Sequence, residues 1–203
     1  MAKRPVNIRN KVIDAALNCA SEVGWRDVSL QMIAADAGVG FSKLYAHYPS
    51  KTAIVAEIMH ETTSTIIDRS DSSSVREPAR DRLLDAILQR LDAMEENKAA
   101  IATILRETML DPLGALSLGP KFLKAMARTL ESAGISSAGL AGKIRVNGLA
   151  AIYLAALGVW VGDDSPDLAK TMAFLDRRLK QAIQLAAFLP FGVVDHHIDK
   201  NSE

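Results

Sequence analysis

The 203-residue chain has a single cysteine, Cys19, which excludes an intrachain disulfide framework and fits a reducing compartment. Cys19 stands among apolar residues and reads as packing rather than as a nucleophile. Neither charge is in excess, with 24 Lys+Arg against 24 Asp+Glu. Attraction to a polyanion cannot come from net charge, only from a local patch. The four histidines, His47, His60, His196 and His197, show no H-E-x-x-H spacing, and no nucleophile elbow is present. His196-His197 reads as part of a solvated tail. Glu95-Glu96 and Asp163-Asp164 fall at helix ends, where solvation and capping explain them. No enzyme chemistry, no metal and no cofactor are expected. The basic start "MAKRPVNIRNK" lacks a following apolar h-region, so it is no secretory signal. The most apolar stretch, "VNGLAAIYLAALGVWVG" (Val146 to Gly162), reaches only the lower length limit of a membrane span. It reads as a core or interface helix, and a cytoplasmic protein with no membrane partner is expected.

What is present is helical periodicity. Apolar residues make up 49% of the chain, enough for a folded core. Val12, Ala16, Cys19, Ala20 and Val23 recur at helical spacing, with Asn7 as a cap and Gly24 as a stop. Ser29 can cap a helix over Leu30 to Asp36, ended by Gly38. A short helix over Phe41 to His47 follows, and Ser50 can cap a longer one from Lys51 to about Arg69. "SDSSSVREP" (Ser70 to Pro78) is a polar boundary, and five further helix-periodic stretches follow, the third opening at Pro120. No β-alternation and no repeat interrupt them. The fold class is all-α, about nine helices in total. Residues 1–51 form a three-helix unit, a fourth helix over 51–69 connects it, and residues 70–203 form a helical body. The charges divide with it: through Lys51 the chain carries +3, and the remainder −3.

"AGVGFSKLYAHYPSKTAI" (Ala37 to Ile54) holds the densest run of exposed-type groups. Two short helices joined by a glycine turn make a helix-turn-helix. Gly38 supplies the left-handed turn conformation, Ala34 permits close approach, and Val39 and Leu44 point inward. Phe41, Ser42, Lys43, Tyr45, Ala46 and His47 then face outward, on a helix whose diameter fits the DNA major groove. Tyr48 packs back on the first helix. "GVGFSK" lacks the preceding strand and the fuller glycine pattern of a phosphate-binding loop.

Ile33-Ala34, Gly38-Val39, Leu44-Tyr45, His47-Tyr48 and Lys51 together resemble the hallmark of TetR-type transcriptional regulators, over about residues 8 to 58. The resemblance implies that Gln31, Phe41, Ser42 and Lys43 face bases, and that Ser29, Tyr45, His47 and Lys51 face phosphates. Phe41 either touches a thymine methyl or turns inward. The resemblance further implies a homodimer on a near-palindromic double-stranded operator, most often a repressor, and a body that binds a small apolar ligand. Met94, Arg106, Met109, Phe122, Met126 and Asn147 are the candidate ligand residues. Gly148, Ala151, Ala155 and Gly158 of one helix, with Leu175, Leu179 and Ile183 of the next, are the candidate dimer interface. Ile66 and Ile67 are expected against the ligand body. "VWVGDDSPDLAKTMAFLDRRLKQA" (Val159 to Ala182) is similar to the closing helices of the ubiquinone-biosynthesis lipid-binding protein, with Asp164, Ser165 and Pro166 as helix-capping residues. That similarity carries the alternative: a lipid or isoprenoid carrier of the same fold without DNA binding. The intact Lys43, Tyr45 and Lys51 face argues against it.

Overall fold

The computed structural model describes residues 8–69, 77–165 and 167–187, except the side chains of 61–69, 186 and 187. Asn7, Pro166, the tail histidines and the side chains of Ile66 and Ile67 lie outside these residues.

Nine α-helices are found among the described residues, and no strand. The first four are α1 (Ile8–Val23), α2 (Leu30–Asp36), α3 (Phe41–His47) and α4 (Lys51–Arg69). Beyond residues 70–76 come α5 (Ala79–Asp92), α6 (Lys98–Leu110), α7 (Pro112–Ser132), α8 (Gly139–Val161) and α9 (Ala169–Ala187). The boundaries have local causes. Ser29 Oγ accepts from Met32 N at 3.2 Å, and Ser50 Oγ from Ala53 N at 3.1 Å, so each hydroxyl satisfies a backbone donor at a helix start. Gly24, Gly38 and Gly134 each have positive φ where a helix has just ended.

Two starts differ from the sequence expectation. α7 opens at Pro112, eight residues before Pro120. Asp111 Oδ1 accepts from Gly114 N at 3.0 Å, and Pro112 occupies the first turn, where its missing N–H costs nothing. Pro120 is carried inside the helix on its exposed side. α9 opens at Ala169, and Asp163 rather than Asp164 supports its start. Asp163 Oδ2 accepts from Thr171 N at 2.8 Å and Thr171 Oγ1 at 2.7 Å. Its Oδ1 accepts from Ser165 N at 3.2 Å and Ser165 Oγ at 2.5 Å.

The core has two parts. One joins α1, α2, α3 and α4 through Val12, Ala16, Ile33, Leu44 and Ile54, and takes in Ala100 and Ile104 of α6 and Leu118 of α7. The other joins α5, α7, α8 and α9 through Leu91, Met126, Leu149, Trp160 and Leu175. The helices of the N-terminal unit therefore share apolar contacts with α6 and α7, so a displacement of either is felt by the other. Trp160 is fully buried, its Nε1 donating to Glu95 Oε2 at 2.8 Å, and Lys98 Nζ lies 5.3 Å from its ring centroid. Glu95 thus ties the turn before α6 to the end of α8, a role that its acidic pairing with Glu96 did not suggest.

Candidate nucleic-acid interface

The helix-turn-helix is built from α2 and α3. Gly38 turns the chain at φ 62°, and Val39 N donates back to Ala34 O at 3.0 Å. Ala34 and Leu44, 3% and 0% exposed, seat the two helices on α1, and Val39 packs on the same cluster. Tyr48 is buried at the end of α3. Leu44 consumes one side of α3, and the rest of its circumference is open. Phe41, Ser42, Lys43, Tyr45 and His47 are all exposed, with Phe41 and His47 flanking the buried side three residues from Leu44, and Gln31 is exposed on α2. Phe41 is 42% exposed and Tyr45 52%, with ring centroids 5.8 Å apart. Phe41 therefore turns to solvent, not to the core. His47 Nδ1 lies 2.9 Å from Lys43 O, which holds the ring against its own helix.

Ser29 is exposed, and its hydroxyl oxygen caps α2 while the O–H stays available to donate. One of the predicted residues is placed differently: Lys51 does not stand free at the start of α4. Its Nζ donates to Trp25 O at 2.6 Å and Arg26 O at 3.2 Å, and lies 5.0 Å from the Trp25 ring centroid. Burial pushes the Lys51 pKa down, while Glu107 and Asp27 pull it back up. Lys51 thus fastens α4 to the loop between α1 and α2. Beside it, a cleft of about 190 Å³ separates this loop from α6 and α7, lined by Trp25, Lys51, Thr52, Glu107 and Leu118 among others.

The body does not gather the predicted ligand residues. Met94 and Met126 are buried in the second core cluster, and Phe122 packs there with its ring 6.0 Å from that of Tyr153. Met109 is 75% exposed, and Arg106 and Asn147 are also exposed, Asn147 Nδ2 donating to Lys143 O of its own helix at 2.8 Å. Helical phase explains the miss: Ile104 faces in, so Arg106 and Met109 of the same helix turn out. The buried polar pair of this region went unread. Arg90 is 2% exposed and its guanidinium carbon lies 5.1 Å from the Tyr153 ring centroid. Burial pushes the Tyr153 phenol up, against the opposing effect of Arg90. A signal existed, because Arg90 follows Leu83 and Ile87 along one helical stripe.

The interface residues divide as well. Gly148, Ala151, Ala155 and Gly158 are exposed on α8, and with Leu140 and Ile144 they recur every three or four residues as one stripe. On α9, Ile183 is 51% exposed, but Leu175 and Leu179 are 0% and 4% exposed and face the protomer's own core. The outward apolar groups of α9 are instead Met172, Ile183 and Leu185. α8 is the one helix among those described that is long and apolar enough to cross a membrane; its inward face is buried against α7 and α9.

The exposed part of α3 can donate hydrogen bonds from Ser42, Lys43 and Tyr45, and from His47 as the imidazolium, and offers one purely apolar ring, Phe41. Residues 12–58 match the family model of bacterial regulatory proteins, tetR family, and residues 145–186 match the COQ9 family model. The fold is that of TetR transcriptional regulators. A regulator from Nitrosomonas europaea is 20% identical at a TM-score of 0.71, the match covering 86% of this chain and 97% of that one. One from Rhodococcus sp. RHA1 is 19% identical at 0.58, covering 87% and 97%. One from Streptomyces coelicolor is 17% identical at 0.58, covering 89% and 85%. No curated protein sequence matches this chain.

Proposed function

We propose that this chain is a TetR-type DNA-binding regulator that acts as a cytoplasmic homodimer, represses from a near-palindromic operator and is released by a small apolar effector. The observation that carries the reading is the exposed part of α3, held outward by the burial of Leu44 in the core that it shares with α1, α2 and α4. Lys43 donates to base edges in the major groove, and Tyr45 donates to phosphates, joined by His47 in its imidazolium form, whose Nδ1–H is already given to Lys43 O. Lys51 acts at the backbone only through the loop it fastens, or after leaving the Trp25 and Arg26 carbonyls. One such unit reads one half-site, so specificity calls for two copies about one helical turn apart, roughly 34–36 Å, or a multiple of it. The exposed α8 stripe with Met172 and Ile183 of α9 supports pairing of two helices from each subunit in a four-helix bundle.

Release runs through the shared core. Residues 1–51 act as the reading unit, α4 as the connection, and residues 70–203 as the effector-binding and dimerisation part. An apolar effector entering among Met94, Phe122 and Met126 has to part α5, α7 and α8, since these side chains now pack together. Met side chains repack readily around varied ligands. Movement of α7 reaches the reading unit through Leu118. The effector must favour the DNA-incompetent state, and by reciprocity operator DNA must weaken the effector by the same factor.

The test is selection of bound fragments from genomic DNA, followed by titration at several salt concentrations. An enriched inverted repeat bound at nanomolar levels, weakening as salt rises, is expected. No enriched motif, or salt-independent affinity, refutes it.

A further inference from the structure

The paired rings of Phe41 and Tyr45 on the open side of α3 carry a more specific inference, which rests on the DNA-binding reading above. Phe41 has no polar atom. It can neither donate to a phosphate nor hydrogen-bond to a base edge. It is nevertheless held outward, 42% exposed, one turn before Tyr45, with the two ring centroids 5.8 Å apart and the planes tilted by 34°. The tilted ring contact with Tyr45 favours this direction of Phe41 over free rotation. Leu44, fully buried, fixes the rotation of the helix that carries both. The flanking groups, Ser42 and Lys43, are polar and exposed, so the Phe41 ring, with that of Tyr45, is an apolar spot beside hydrogen-bond donors.

In the major groove the base edges present acceptors, donors and one apolar group, the C5-methyl of thymine. A phenyl ring fixed on a groove-facing helix has that one group to cover. We propose that Phe41, buttressed by Tyr45, is a specificity-determining residue that reads a pyrimidine C5-methyl group in each half-site. The chemistry has a corollary. The methyl of 5-methylcytosine projects into the groove from the same ring carbon as that of thymine. Methylation of a cytosine placed at this position is therefore sensed by the same ring, and strengthens binding.

The experiment uses the full chain and a duplex recovered by selection. Each thymine is replaced in turn by uracil, which removes the methyl and keeps the base pair. One thymine per half-site is expected at which uracil weakens binding about four-fold, the worth of one buried methyl. In Phe41→Ala the uracil and thymine duplexes are bound equally at that position, and in Tyr45→Leu the discrimination falls. A cytosine at the same position, bound weakly, regains about the same four-fold when 5-methylated, and does so only with Phe41 present. Because Phe41 is exposed, Phe41→Ala is expected to fold, which thermal unfolding checks; Phe41→Leu, retaining part of the contact, gives an intermediate ratio. Uracil tolerated at every position by a protein that still prefers its site overturns the methyl contact and leaves the DNA reading standing. A uracil penalty unchanged in Phe41→Ala overturns it equally. Loss of all base preference in the unmodified protein removes both.

Discussion

Asp163→Asn tests whether one buried carboxylate holds the α8–α9 corner. Asp163 is 0% exposed and accepts four hydrogen bonds, two from Ser165 and two from Thr171. The Ser165 hydroxyl, with the Thr171 and backbone donors, holds its carboxyl well below the usual carboxylate range, and burial opposes this only in part. The amide of Asn keeps one acceptor oxygen and turns an N–H₂ towards groups that are themselves donors. About two donors are left without partners, at roughly 1–3 kcal/mol each when buried, less what the hydroxyls recover by rotating. A net loss of about 3 kcal/mol follows, or a Tm lower by roughly 6–12 °C for a chain of this size. The pH dependence has a fixed sign. A carboxyl that binds its proton more weakly in the folded state stabilises fully above the unfolded pKa, about 3.9, and less as pH falls below it. The difference between wild type and Asp163→Asn should be constant from pH 7 to 5 and narrow from about pH 4 downwards. Urea unfolding at fixed protein concentration measures it, with an unchanged m-value. A loss under about 0.5 kcal/mol at pH 7, or a gap that does not narrow with acid, would refute the account.

Three further outcomes follow from the same geometry. Gly38→Ala meets no atom within 4 Å, yet its φ of 62° makes it cost about 1 kcal/mol in thermal unfolding, with weaker DNA binding as the turn relaxes. Lys51→Ala removes the bonds to Trp25 O and Arg26 O, so it should lower stability by about 1–2 kcal/mol as well as weaken all DNA alike; lost affinity with unchanged stability would show that Lys51 acts at the phosphates directly. Met172→Glu combined with Ile183→Glu should shift light scattering at micromolar concentration from dimer to monomer, whereas Leu179→Ala, buried in the protomer, should cost about 2–5 kcal/mol of stability.

Helix positions were legible because their causes are local. Ser29 and Ser50 cap, Gly38 takes positive φ, and Leu44 is the buried residue of α3, so most of the outward set followed from spacing, whereas the direction of Phe41 was decided only by packing. Pro120 misled for the converse reason: its missing N–H reads as a start, but Asp111 and Pro112 supply a better one upstream. Which way a doubly apolar helix turns is not local. α9 carries apolar residues around much of its circumference, and only contact with α5 and α8 decided that Leu175 and Leu179 go inward and Met172 and Ile183 outward. The same holds for Lys51, whose carbonyl partners lie 26 and 25 residues away, and for Arg90 beside Tyr153. Backbone preference and capping act within about four residues and are written in the sequence. Side-chain partners across the fold are chosen by packing, where every candidate competes with every other for the same buried space.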